Sequence, residues 1–276
     1  MIGFAVSFLN LLGATLVPAF FGLLAVVLLF RRCAPRYAAA FAAGVFLWYF
    51  SDTIGGSSYL GVNRGFSGGF DQVVLIVLFV AGVSLCLTDR YGFVAGEGMG
   101  REVSSRSYII IPSIVALALS VHGFSEGADF GALASSTTGT SLIAVLGGYG
   151  PAISYALHKM LEASMIGASY LYSSFSFRNQ VPGWADRLRD ILTLGAVFTI
   201  PLLLGVSIGY YLPLNSTYPF ALASGTSVYV ALRLAQPLVT SGGRNSFSES
   251  IRLTLLIMSG FLSIYFAALF HSTSLG

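Results

Sequence analysis

Eight apolar stretches separated by short polar breaks form the pattern of this chain. The breaks predict spans at residues 4–30, 40–60, 72–88, 108–133, 141–172, 190–212, 217–239 and 251–270. Each run is continuous rather than alternating, and is long enough, or nearly so, to cross a bilayer. The pattern therefore predicts an all-α integral membrane protein with eight transmembrane helices, folded as a single transmembrane domain over residues 1–276. The first run exceeds a signal-peptide core, so we expect it to remain as the first helix.

Composition and the placement of charge sharpen this picture. The chain is 55% hydrophobic and 9% charged, and its mean hydropathy of +0.82 lies far outside that of a soluble domain. Arginines fill the first, third, fifth and seventh loops, at 31, 32, 36, 90, 101, 106, 178, 187, 189, 244 and 252. The remaining two are Arg64 and Arg233. The positive-inside rule then predicts a multi-pass protein of the cell membrane with both termini extracytoplasmic. These clusters are too small and scattered for a nucleic-acid surface.

The loops and cysteines offer little further chemistry. The longest loop, 89–107, has mixed charge and no histidine, and we expect a connector without a metal-collecting tract. Cys33 and Cys86 lie near span ends, where we expect unpaired packing residues.

Ionisable residues inside the membrane point to the function. The fourth and fifth spans hold six of them: His122, Glu126, Asp129, His158, Lys159 and Glu162. Each costs about 2.5–3.5 kcal/mol at mid-bilayer on insertion scales, and such residues usually mark a pathway or a paired site. In each span a histidine precedes a glutamate by four residues, so the two side chains share one helix face.

Imidazole nitrogen with carboxylate oxygen is the ligand set for zinc, iron(II) or manganese. His122, Glu126, His158 and Glu162, on adjacent helices, could close a tetrahedral site. The alternative is a polar network that only locks the two helices together, although two histidines and three acids exceed what that purpose needs.

The same residues resemble a known family. His122-Gly123-Phe124-Ser125-Glu126-Gly127 is similar to the His-Asn-Phe-x-Asp-Gly of the fourth helix of ZIP divalent-metal transporters, of the prokaryotic type. The fifth helix of that family commonly reads His-Asn-x-Pro-Glu-Gly, and this chain has His158-Lys159-Met160-Leu161-Glu162-Ala163. A weaker similarity covers GVFL at 44–47 and the Gly225…Tyr229 pattern.

The resemblance implies a 3+2+3 arrangement, with inverted three-helix repeats around helices four and five. Ala42-Ala43-Gly44 followed by Trp48, and Ala223-Ser224-Gly225 followed by Tyr229, form a faint internal echo consistent with such repeats. Many family members hold two adjacent metals. By position, His122, His158 and Glu162 match ligands of the first metal, and Glu126 matches an acid of the second.

Departures from the family pattern fall on the second metal. Gly123 replaces an asparagine, Lys159 replaces an acid or amide, and Ile200-Pro201 stands where the family often has Glu-Pro; Leu161 also replaces a proline. Lys159 is the only lysine. We expect a single-metal site in which its ammonium takes the place of the second ion. The alternative is a lysine that snorkels on the helix surface.

Four more residues need placing. Asp52 lies near where the family has another pathway ligand, and Asp129 follows Glu126 by one turn; each is either a relay ligand or an ordinary pore-lining acid. Arg233 is a candidate partner for one of these acids. His271 is near the C-terminus, and we expect it to be solvated.

The leading hypothesis is a non-enzymatic transporter that carries a divalent transition metal, most plausibly Zn²⁺, toward the cytoplasm. Binding should weaken as pH falls, since both histidines must be deprotonated. A second hypothesis is a ZIP-like protein that binds or senses metal without transport, because Lys159 blocks the pathway. A third is an intramembrane zinc hydrolase with Glu126 or Glu162 as base, disfavoured by the lack of His-Glu-x-x-His. The expected partners are the metal ion and the bilayer, with a homodimer left open.

Overall fold

A computed structural model of the chain describes residues 3–63, 70–88, 107–136, 143, 146–178, 183–212, 214–239 and 247–269. Within those ranges it has eight long helices and no strand. They are α1 (Phe4–Phe30), α2 (Pro35–Asn63), α3 (Phe70–Val83), α4 (Ile110–Ser136), α5 (Tyr149–Arg178), α6 (Trp184–Tyr211), α7 (Thr217–Val239) and α8 (Phe247–Ala268). A short helix, Leu85–Thr88, follows α3, and a 3-10 turn, Ser107–Ile109, precedes α4.

The eight predicted spans correspond in order to these helices, but several ends differ. Helices α2, α5, α6 and α8 begin or end several residues away from the predicted bounds, in part because polar residues at the membrane edge continue the helix. The prediction that the fifth span starts at 141 is wrong. Gly147 and Gly148 have φ of 84° and 125°, a left-handed conformation that a helix excludes, so α5 starts only at Tyr149.

The helices have the character of membrane spans. Five of them, α1, α2, α4, α6 and α8, are long and apolar enough to cross a bilayer, and α3 is a shorter apolar helix. Among the described helices, α5 and α7 are long but more polar, because α5 carries His158, Lys159 and Glu162 together with several serines. The protein is therefore a multi-pass α-helical membrane protein.

Glycines bring particular helix pairs into backbone contact. In α4 and α6 the contact is reciprocal: a Cβ at Gly127 or Gly131 would overlap carbonyls of α6, and one at Gly205 or Gly209 would overlap carbonyls of α4. Both helices thus present glycines four residues apart, the small-residue spacing that lets membrane helices approach closely. Gly205 and Gly209 therefore serve the close packing of α6 on α4.

A buried carboxylate joins the helices around the centre of the bundle. Asp190 on α6 accepts hydrogen bonds from the hydroxyl of Tyr108, ahead of α4, at 2.7 Å, and from that of Tyr170 on α5 at 3.0 Å. One side chain therefore holds the starts of α4 and α6 and the last turns of α5 together. Helices α2 and α7 pack across α4 and α5, and the candidate site lies among these four.

Candidate metal centre

Two helix turns supply the candidate metal ligands. On α4, His122 and Glu126 are one turn apart, and on α5, His158 and Glu162 have the same spacing. Each of the four offers one ligand atom, and these atoms all lie within 4.8 Å of one another. We call these four residues the His/Glu cluster. Both histidines and Glu162 are buried, and the side chain of Glu126 is 15% exposed.

The Oε1 atoms of the two glutamates face the histidines. His158 Nε2 lies 2.8 Å from Glu162 Oε1. His122 Nε2 lies 3.5 Å from that same oxygen and 3.4 Å from Glu126 Oε1. Two imidazole nitrogens and two carboxylate oxygens thus converge on one small volume. This donor set suits zinc and the neighbouring divalent transition metals.

The Oε2 atoms of the same glutamates face Lys159. Its Nζ forms an ion pair with Glu126 Oε2 and lies 2.6 Å from Glu162 Oε2. The rings of Tyr155 and Phe198 lie 5.6 Å and 5.9 Å from the ammonium, within cation–π range. Lys159 is fully buried, so the snorkelling alternative is wrong. Each glutamate therefore bridges from the histidines to a fixed ammonium.

A third helix contributes a carboxylate. Asp52 on α2 places Oδ2 3.5 Å from His122 Nε2. Its side chain is 41% exposed, whereas that of His122 is fully buried, so Asp52 connects the cluster with the surface. Asp129 is partly exposed one turn beyond Glu126 and is not a member of the group of four. Of the two candidate pathway acids, the structure brings Asp52 to the cluster.

Aromatic rings that were not predicted as site residues also contact the cluster. The ring of Trp48 on α2 lies 4.8 Å from that of His158, centroid to centroid. The rings of Tyr49 on α2 and Phe220 on α7 lie 4.9 Å and 5.2 Å from that of His122. The one available signal was their register: Tyr49 precedes Asp52 by three residues, so the two share a face of α2.

The positions that depart from the family pattern are occupied as follows. Ile200 on α6 is 54% exposed and faces away from the cluster, while Phe198 provides the α6 contact to Lys159. Gly123 is buried against Leu202.

Arg233 is buried, and it donates to the hydroxyl of Tyr229 at 3.2 Å and to Oε1 of Gln236 at 2.8 Å. Its pairing with one of the candidate acids stays a prediction. His271 and the 89–107 loop lie outside the described residues, apart from Ser107. Cys33 and Cys86 are both free thiols, as expected, but the prediction that Cys33 is a packing residue is wrong because it is exposed.

Comparisons with known proteins found no match, so the site is interpreted from the chemistry of its residues. No model of a known protein family matches this chain. A search of curated proteins found no match either.

Proposed function

We propose that the protein transports a divalent transition-metal ion, Zn²⁺ above all, across the cell membrane toward the cytoplasm. The observation that carries the proposal is the convergence of one ligand atom from each of four residues within 4.8 Å inside a membrane bundle: His122, Glu126, His158 and Glu162. An ion that leaves water must have its hydration shell replaced, and a site that also releases it needs few charged ligands. Neutral imidazoles with two carboxylates meet both requirements.

The graded exposure of the acids supports a path to this site. Asp52 has 41% of its side chain exposed, Glu126 has 15% and Glu162 has 1%. Carboxylates at increasing depth would draw a cation from the surface to the histidines. Helix α2 runs from an arginine-rich loop toward Asp52, so the positive-inside rule predicts that the exposed end is extracytoplasmic. A purely structural network would not need an exposed acid 3.5 Å from a buried histidine.

A ZIP-like architecture with inverted repeats is part of the proposal. In such an arrangement α2 corresponds to α7 and α3 to α8, so a contact between α2 and α8 should recur between α7 and α3. Gly44 lies against α8 and Gly260 against α2, and Gly225 lies against α3 while Gly82 lies against α7. The echo between Gly44 and Gly225 thus extends to their contacts, which supports two triples around α4 and α5.

The role of the metal site is tested by uptake into proteoliposomes. We expect ⁶⁵Zn²⁺ uptake by the wild-type protein and its loss in the variant that combines His122→Ala with His158→Ala. The matched control is His271→Ala, which removes the third histidine of the chain and should leave uptake unchanged. Undiminished uptake by the double variant would overturn the assignment. Competition by iron, manganese, cobalt and cadmium measures selectivity.

A protein that binds metal without moving it is the second candidate, favoured by the burial of Lys159 among the ligands. Lys159→Ala and Lys159→Glu discriminate the two. Uptake that appears only in these variants indicates a pathway blocked by the lysine, whereas uptake lost from an active wild-type protein indicates a lysine that transport requires.

A further inference from the structure

The two ligand histidines are held by rings from helices that carry no histidine. Trp48 and Tyr49 of α2 and Phe220 of α7 form what we call the aromatic collar. Trp48 contacts His158 with an interplanar angle of 80°, and Tyr49 and Phe220 contact His122 at 69° and 63°. All three pairs are thus near-perpendicular, the arrangement in which the edge of one ring meets the face of the other.

Nδ1 of His122 makes the collar significant. A metal-bound histidine usually donates the hydrogen of its second nitrogen to a carboxylate or carbonyl, which fixes the tautomer and the ring orientation. Within the part of the chain that the structure describes, the buried His122 Nδ1 has no hydrogen-bond partner. A buried N–H without an acceptor is destabilising, so a favourable contact with its surroundings would stabilise this ring.

Two aromatic rings flank His122 closely enough to offer such a contact. An N–H directed at an aromatic ring forms a weak hydrogen bond, and both flanking rings stand at suitable angles and distances. Phe220 is itself packed on Gly56 of α2, where a Cβ would meet its ring at 2.8 Å. The backbone of α2 at Gly56 therefore supports the Phe220 ring and holds it beside His122.

We propose that the aromatic collar is a positioning device for the proposed metal site. Its rings accept the Nδ1–H of His122 and fix the tautomer whose Nε2 is free to bind metal. Trp48 packs edge-to-face against the ring of His158 and limits its rotation. This inference rests on the proposed function for the metal, but the tautomer exists without any ion. The collar thus takes the part that hydrogen-bonded carboxylates play in most metal sites.

The hydroxyl of Tyr49 supplies a matched pair of variants. It is buried and has no hydrogen-bond partner among the described residues, so Tyr49→Phe keeps the ring and removes a group that the proposal does not use. Tyr49→Leu and Phe220→Leu remove the rings. Phe21→Leu, at a 55% exposed position on α1, controls for loss of a phenylalanine elsewhere.

The experiment has two readouts on purified full-length protein. In Zn²⁺ titrations, Tyr49→Leu and Phe220→Leu should bind about 10–100-fold more weakly, the usual effect of losing support behind a metal-bound histidine, while Tyr49→Phe and Phe21→Leu should match the wild type. In ¹⁵N-histidine NMR without metal, with His122 assigned by the His122→Ala spectrum, the leucine variants should lose the single Nδ1–H tautomer of the wild type.

Each outcome bears on one proposal. An unchanged tautomer in well-folded leucine variants overturns the collar, and so does wild-type Zn²⁺ affinity in those variants. Wild-type protein that binds no Zn²⁺ through its histidines overturns the proposed function instead, and the metal-free NMR comparison then still decides whether the rings fix the imidazole.

Discussion

Glu126 and Glu162 each direct one oxygen to the histidines and the other to Lys159, and this division defines the site at the scale of single residues. Without a cation between them, two buried carboxylates would repel each other and remain poorly solvated. The ammonium therefore belongs to the resting structure of the site.

Removal of the ammonium should create a second cation site. Lys159→Ala leaves Glu126 Oε2 and Glu162 Oε2 without their partner, and a divalent ion can replace the lost charge. We expect equilibrium dialysis with elemental analysis to give one Zn²⁺ per chain in the wild type and two in the variant. Lys159→Arg retains the charge and should keep one. A variant that still binds a single ion would contradict the idea that the lysine substitutes for a metal.

The sequence predicted the members of the site better than their surroundings. The spacing of His122 to Glu126 and of His158 to Glu162 placed each pair on one helix face, and the ionisable residues of the two helices marked them as candidates for a metal site. Trp48, Tyr49 and Phe220 could not be found in this way, because aromatic residues abound in any membrane helix and only the packing of α2 and α7 shows which ones meet a histidine. The facing of Lys159 likewise depended on tertiary contacts.

At the scale of helices, the packing of α4 on α6 depends on direct contact between their backbones at glycines. A side chain at Gly205 would overlap the carbonyl of Phe124, which cannot move without breaking α4. We expect Gly205→Leu to lower the free energy of unfolding in detergent by about 1–3 kcal/mol or more, as overpacking usually does, and so to lower the melting temperature. Gly13→Leu is the control, since a Cβ there meets nothing within 4 Å. Equal melting temperatures for the two variants would contradict this role of the glycines.

Helix number and order could be predicted from hydropathy because each span must satisfy its own backbone in lipid. The ends could not, since polar residues at the membrane edge continue a helix as readily as they interrupt it. At Gly147 and Gly148 the apolar sequence predicted a helix, but their left-handed backbone delays the start of α5 to Tyr149.

At the scale of the whole molecule, the arginine pattern predicts how the protein lies in its membrane. Cys33 is exposed in the turn between α1 and α2, beside two arginines. In a Cys86→Ser background, we expect a membrane-impermeant maleimide to label Cys33 in inside-out vesicles and not in right-side-out ones. Gly3→Cys, placed at the exposed start of α1 in a cysteine-free background, should show the opposite pattern. Labelling of both thiols from the same side would overturn the topology.

The pairing of one lysine with two glutamates also has an electrical consequence. With neutral histidines, the two carboxylates and the ammonium give the empty cluster one net negative charge, and a divalent ion changes it to one net positive charge. A membrane potential changes the free energy of one elementary charge that crosses the whole membrane by about 2.3 kcal/mol per 100 mV. In a cell with a negative interior, the same voltage would favour inward passage of the loaded site and outward return of the empty one, so both halves of a transport cycle would gain from a single field.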